Sequence, residues 1–231
     1  MAMRHDYVSR DDLAEALAIS VSGVLAGGIA TRGSAVLVVS GGSTPAKFFN
    51  QLSQCELEWN KVTIVLVDER IVPPDHDRAN AKLVAEKLLI NRAADAQFAP
   101  FIVDGETPED CAIKSSGQLE QLTRHIDVLI LGMGTDGHTA SFFPGGDNLS
   151  TALDLETRAS VIPMRADGAG EPRLTLTLPA VLSAHFLALH IEGAEKQSVL
   201  EQALSGDDVN QMPIRAVFQN TKKPIQIFWA S

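Results

Sequence analysis

The stretch whose residue types and spacing best suit chemistry is Gly132-Met133-Gly134-Thr135-Asp136-Gly137-His138-Thr139-Ala140-Ser141, entered directly from the apolar run Leu129-Ile130-Leu131. Glycines on either side of Asp136 permit a tight turn that bulkier residues resist, so an acid and an imidazole emerge from one loop. Histidine titrates near neutrality, and His138 is therefore a candidate base that takes a proton from water and returns it to a leaving oxygen. Asp136 either orients the imidazole or holds a hydroxyl, and the spacing leaves both roles open. Thr139 and Ser141 are expected to cap a short following helix. With no second His or Cys at ligand spacing, no metal is expected here.

A second stretch, Ser40-Gly41-Gly42-Ser43-Thr44-Pro45, follows a valine-rich run and leads into Ala46-Lys47-Phe48-Phe49. Gly41 and Gly42 let the backbone approach an anion, the helix that Pro45 opens aims free N–H groups at it, and the Ser43 and Thr44 hydroxyls add donors. The loop has neither the Gly-Lys-Ser/Thr ending of a nucleotide-binding loop nor dinucleotide spacing. In a third stretch, Val67-Asp68-Glu69-Arg70 ends an apolar run, with Asn80 at the head of a later helical pattern. Arg70 suits a phosphate or carboxylate, Asp68 suits sugar hydroxyls, and Asn80 suits either. Glu69 is expected to form a solvated ion pair with Arg70, and His76 to face solvent. The other histidines, His5, His125, His185 and His190, read as structural or solvated. Cys55 and Cys111 have no neighbours that would activate a thiolate.

Positioning these loops requires strands. Short apolar runs at residues 35–39, 62–67, 128–131, 186–191 and 225–229 alternate with helical patterns at 78–91, 108–125 and 194–204, the signature of a parallel sheet. Residues 173–178 alternate Leu with Thr, as a half-buried strand does, before Pro179 opens another helix. Ligands of such sheets collect outside the carboxyl ends of the strands. An N-terminal helix capped by Ser9 or Asp11 carries Leu13, Leu17, Val21, Val24 and Leu25 at helical spacing and is expected to end at Gly27 and Gly28. Its apolar part, residues 16–30, is preceded by acidic rather than basic residues, is shorter than the about 20 apolar residues that span a bilayer, and reads as a packing helix.

The 231 residues suit one domain over the whole chain, 1–231. With 29 Asp and Glu against 19 Lys and Arg, the net charge of −10 argues against nucleic acid as a partner. Two cysteines make no disulfide framework, which fits a cytoplasmic location.

Taken in order, the Ser40 to Pro45 loop, Val67-Asp68-Glu69-Arg70, the Gly-Thr-Asp-Gly-His-Thr-Ala-Ser stretch with Phe142-Phe143-Pro144-Gly145, Arg173-Leu174-Thr175-Leu176-Thr177-Leu178-Pro179 and the helix of Lys196 resemble the 6-phosphogluconolactonase family. The resemblance implies an α/β fold, a Rossmann-like, mostly parallel sheet flanked by helices of the glucosamine-6-phosphate deaminase and ribose-5-phosphate isomerase kind. It further implies hydrolysis of 6-phosphoglucono-1,5-lactone to 6-phosphogluconate in the pentose phosphate pathway, without metal or cofactor. By the same resemblance His138 is the base, Gly42, Ser43 and Thr44 hold phosphate, Arg70, Arg173 and Lys196 lie near the anionic or carbonyl end, and Asp68 and Asn80 line the pocket. Where relatives often carry a lysine before the Arg-x-Thr-x-Thr strand, this chain has Arg165, a candidate replacement. Two rivals stay open. An aminosugar-phosphate isomerase/deaminase would want an acid where Phe142-Phe143-Pro144-Gly145 stands. A non-catalytic sugar-phosphate sensor would want a partner module, for which the length leaves no room.

Overall fold

The computed structural model describes residues 2–231. Along the chain come β1 (Ala2–Tyr7), α1 (Arg10–Arg32), β2 (Ala35–Val39), α2 (Ala46–Gln54), β3 (Val62–Leu66) and β4 (Asp68–Arg70). Then follow α3 (Asn80–Lys87), β5 (Gln97–Ala99), α4 (Pro108–Thr123), β6 (Val128–Leu131), α5 (Leu149–Leu153) and β7 (Val161–Met164). The chain finishes with β8 (Arg173–Leu176), α6 (Leu178–Leu182), β9 (Phe186–Glu192), α7 (Gly193–Ser205), α8 (Ile214–Asn220) and β10 (Ile225–Ala230).

Seven strands form one sheet in the order β1-β10-β9-β6-β2-β3-β5, with every pairing parallel. The central strands β2 and β6 are apolar throughout because helices cover both faces, and all four residues of β6 are buried. A smaller antiparallel sheet, β4-β8-β7, was not expected. Val67 is its junction with the main sheet: its N–H bonds the Val39 carbonyl and its own carbonyl accepts from Leu176, both at 2.9 Å. The run at 62–67 therefore splits in two, and Asp68–Arg70 forms a strand of its own instead of the end of β3. Nor is the 173–178 segment half-buried. All four residues of β8 are buried, and Thr175 hides its hydroxyl by bonding the Leu176 carbonyl at 3.1 Å.

The first helix also differs from expectation. Ser9 caps it, accepting from the Asp12 N–H at 3.1 Å, but it runs past Gly27 and Gly28 to Arg32, giving 23 residues. Gly28 serves packing rather than termination, because a Cβ there would lie 2.5 Å from Asp127 Oδ1 and 2.8 Å from Arg32 Nη2. Gly33, at φ +81°, supplies the left-handed cap. The helix is thus long and apolar enough to cross a membrane by length and composition alone. Here its Leu13, Leu17, Val21 and Leu25 face is fully buried in the core.

Candidate active site

A cavity of about 340 Å³ opens where β2, β6 and β9 end, with the small sheet as one wall. It is lined by Gly41, Gly42, Ser43, Thr44, Asp68, Arg70, Asn80, His138, Arg173 and Lys196, so segments remote in sequence meet at one place. Asp136 does not line it.

Asp136 instead bonds the imidazole of His138. Its Oδ1 lies 2.6 Å from His138 Nδ1 and accepts the His138 backbone N–H at 3.1 Å. Burial favours the neutral carboxyl, but the imidazole and that N–H outweigh it and hold the Asp136 pKa down at about 2. An ionised carboxylate only accepts, so Nδ1 carries the proton and Nε2 keeps the lone pair, the tautomer a base requires. The loop is tied by Gly134 N–H to the His138 carbonyl at 2.8 Å. No side chain fits at Gly134, where a Cβ would stand 2.1 Å from His138 Nδ1.

The cavity is also lined by the glycine loop after β2, whose backbone can approach an anion. Gly42 takes φ +91°, open only to residues without a side-chain penalty. Gly41 is obligatory on other grounds, since a Cβ would fall 1.8 Å from Asn80 Oδ1. Asn80 in turn donates to the Asp68 carbonyl at 2.9 Å. The Asp68 carboxylate accepts from Ser141 Oγ at 2.6 Å and stands 4.0 Å from Arg173 Nη1. Arg173 Nη2 bonds the Ala169 carbonyl at 2.6 Å, and Arg70 bonds the Arg78 carbonyl. The Nε atoms of both arginines and Nδ1 of His190, which also lines the cavity, are buried without a partner. Such polar atoms are costly to bury unless a ligand meets them. Burial pushes the Lys196 amine below its ordinary pKa, against the opposing pull of Glu195 and Asp136.

Residues 8–229 match the family model described as glucosamine-6-phosphate isomerases/6-phosphogluconolactonase. The chain belongs to that family. A 6-phosphogluconolactonase of Rhizobium meliloti (strain 1021) is 53% identical over 229 residues, covering 99% of each chain. The crystal structure of a 6-phosphogluconolactonase from Shewanella baltica OS155 superposes with a TM-score of 0.97 at 40% identity, covering 100% of this chain and 98% of that one. A monomeric glucosamine-6-phosphate deaminase shares the fold with a TM-score of 0.80 at 17% identity, covering 100% of this chain and 97% of that one.

Several features of this family member differ from the sequence expectations. Glu69 is buried rather than solvated and makes no ion pair with Arg70. Its carboxylate accepts the N–H groups of Arg70, Asn80 and Ala81 at 2.7, 2.8 and 2.7 Å and thereby caps α3 from outside that helix. Burial pushes its pKa up while those three bonds pull it down. Thr139 and Ser141 cap no helix. Thr139 Oγ1 donates to the Gly132 carbonyl at 2.8 Å, and Ser141 serves Asp68. Arg165 is spent on Glu109 and Asp147, at 2.8 and 3.1 Å, and does not line the cavity. His190 is buried at the cavity wall with Nε2 3.2 Å from Glu192 Oε1. Its place at the carboxyl end of an apolar strand was the signal available in the sequence. Among the described residues, no three His, Cys, Asp or Glu side chains cluster as metal ligands do.

Proposed function

We propose that this chain hydrolyses 6-phosphoglucono-1,5-lactone to 6-phosphogluconate, a step of the pentose phosphate pathway, in the cytoplasm. The observation that carries the proposal is His138, held by Asp136, lining the same cavity as a glycine anion loop and three cations. That a relative 53% identical over the full chain is a 6-phosphogluconolactonase supports this choice of substrate.

A lactone is an activated ester, so the reaction needs a base, donors for an oxyanion and a proton for the departing ring oxygen. Nε2 of His138 takes a proton from water as the water oxygen bonds the lactone carbonyl carbon. The carbonyl electron pair moves onto its oxygen. When the tetrahedral adduct collapses, the bond to the ring oxygen breaks and the imidazolium returns its proton to that oxygen, leaving a carboxylic acid and a hydroxyl. Asp136 holds the imidazole and offsets its charge. Arg70, Arg173 and Lys196, with Gly42, Ser43 and Thr44, supply the positive field for the phosphate and the oxyanion, while Asp68 and Asn80 meet the hydroxyls. No metal or cofactor is required for any of these steps, and no covalent acyl intermediate is invoked.

The test is to offer the intact chain freshly prepared 6-phosphoglucono-δ-lactone and, separately, glucosamine 6-phosphate. Formation of 6-phosphogluconate well above spontaneous opening, with no ammonia from the aminosugar, is expected. Ammonia release without lactone hydrolysis would reverse the assignment.

A further inference from the structure

Phe143, five residues after the base, lines the cavity with 4% of its surface exposed. Its ring centroid lies 4.5 Å from that of His138, with the two planes at 36°. The same ring carries the Arg173 guanidinium, whose Cζ is 5.6 Å from the ring centre. One apolar side chain therefore touches both the nitrogen base and a cavity cation. A phenyl ring can fix the plane of an imidazole without competing for either nitrogen, and its π face favours the imidazolium that forms in the reaction.

The chain folds back to make this contact. Ala140 adopts φ +50°, a left-handed conformation rare for residues with a side chain. Phe142 N–H then reaches the Thr139 carbonyl at 2.9 Å and Phe143 N–H the Ser141 carbonyl at 3.1 Å. Phe142 is wholly buried and anchors the turn. Strain of this kind is retained where the surroundings over-determine it, commonly at functional sites.

We infer that Phe143 is a positioning residue for the base: its ring sets the plane of the His138 imidazole while Asp136 sets the tautomer. The kinetic part of this inference rests on the lactonase reading; the contact itself does not.

The test compares Phe143→Leu, which keeps an apolar side chain, with Phe143→Tyr, which keeps the ring. Proton NMR follows His138 Hε1, assigned by its disappearance in His138→Ala. In Phe143→Leu the resonance moves away from its ring-shielded position, and in Phe143→Tyr it stays close to that of the unaltered chain. On the lactone, Phe143→Leu lowers kcat about tenfold per folded molecule with KM changed less than about threefold, as a misaligned reacting group does, whereas Phe143→Tyr stays within about threefold in both. The folded fraction is counted by titration with 6-phosphogluconate. A Leu variant with an unmoved resonance and unchanged kcat would overturn the inference, as would Leu and Tyr variants that lose activity equally. If the resonance moves as expected while the unaltered chain opens no lactone, the lactonase reading fails and the ring contact at His138 stands.

Discussion

Gly134→Ala tests whether the geometry of the base, rather than its presence, sets the rate. The added Cβ would lie 2.1 Å from His138 Nδ1, 2.2 Å from Cε1 and 2.5 Å from Asp136 Oδ1, where ordinary contact begins at 3.4 Å. The imidazole must therefore retreat by more than 1 Å or part from Asp136. Misplacement of a reacting group by about 1 Å costs on the order of 100-fold in rate, so kcat should fall by about that factor. KM should change little, because the anion loop and the cations lie on other segments. Overpacking of this sort destabilises by about 1–3 kcal/mol, a loss that thermal unfolding will register while the protein stays folded at 25 °C. The assay is initial-rate hydrolysis of fresh lactone with spontaneous opening subtracted, alongside a Tm. A Gly134→Ala protein that keeps kcat within about threefold would refute the argument that the Asp136–His138 spacing controls the base.

Asp136→Asn leaves the geometry but removes the carboxylate that selects the tautomer, and kcat should fall by about 10²- to 10⁴-fold, the upper figure being that of the corresponding change in serine proteases. Because the folded Asp136 pKa is lowered to about 2, below its unfolded value of 3.8, its stabilising contribution is complete above pH 3.8 and is lost as pH falls through about 2. Asp136 should therefore stay ionised down the acidic limb of the activity profile until the pH approaches about 2; an Asp136 carboxyl that titrates near its ordinary value of 3.8 by NMR in the unaltered chain would contradict this. Lys196→Met and Arg173→Met should each raise the KM for the phosphorylated lactone by about 10- to 100-fold, the worth of a charge-assisted hydrogen bond, and a KM unchanged in both would remove them from ligand binding. Glu69→Gln leaves a backbone N–H at the head of α3 without its acceptor and should cost about 1–3 kcal/mol, measured by urea unfolding, whereas an unaltered midpoint would deny the capping role.

Much of this architecture is legible in the sequence because the main sheet is covered on both faces. Residues 35–39 and 128–131 are uninterrupted apolar runs, and each is a central strand with its edges in the expected places. The edge strand β1 escapes notice for the opposite reason: Ala2–Tyr7 is largely exposed, polar and paired on one side only, so it carries no hydrophobic period. The small sheet escapes because Thr175 and Thr177, read as solvent-facing, satisfy their hydroxyls internally and sink into the core. The site loops were identifiable since glycines and charges directly after apolar strands have few purely structural uses. Glu69 is harder to read because adjacent opposite charges suggest an ion pair, while its partners at the head of α3, the N–H groups of Asn80 and Ala81, lie 11 and 12 residues on. The ring of Phe143 enters the site through tertiary packing, which leaves no mark on local spacing, and His190 shows itself only by standing near the carboxyl end of an apolar strand.

The most direct test of the central claim is the rate at which the unaltered chain and His138→Ala open fresh 6-phosphoglucono-δ-lactone, with 6-phosphogluconate binding measured for both to show that the cavity is intact. The account predicts hydrolysis far above background in the unaltered chain, activity reduced to near background in His138→Ala, and retained product binding. A His138→Ala protein that hydrolyses the lactone at the unaltered rate would contradict it.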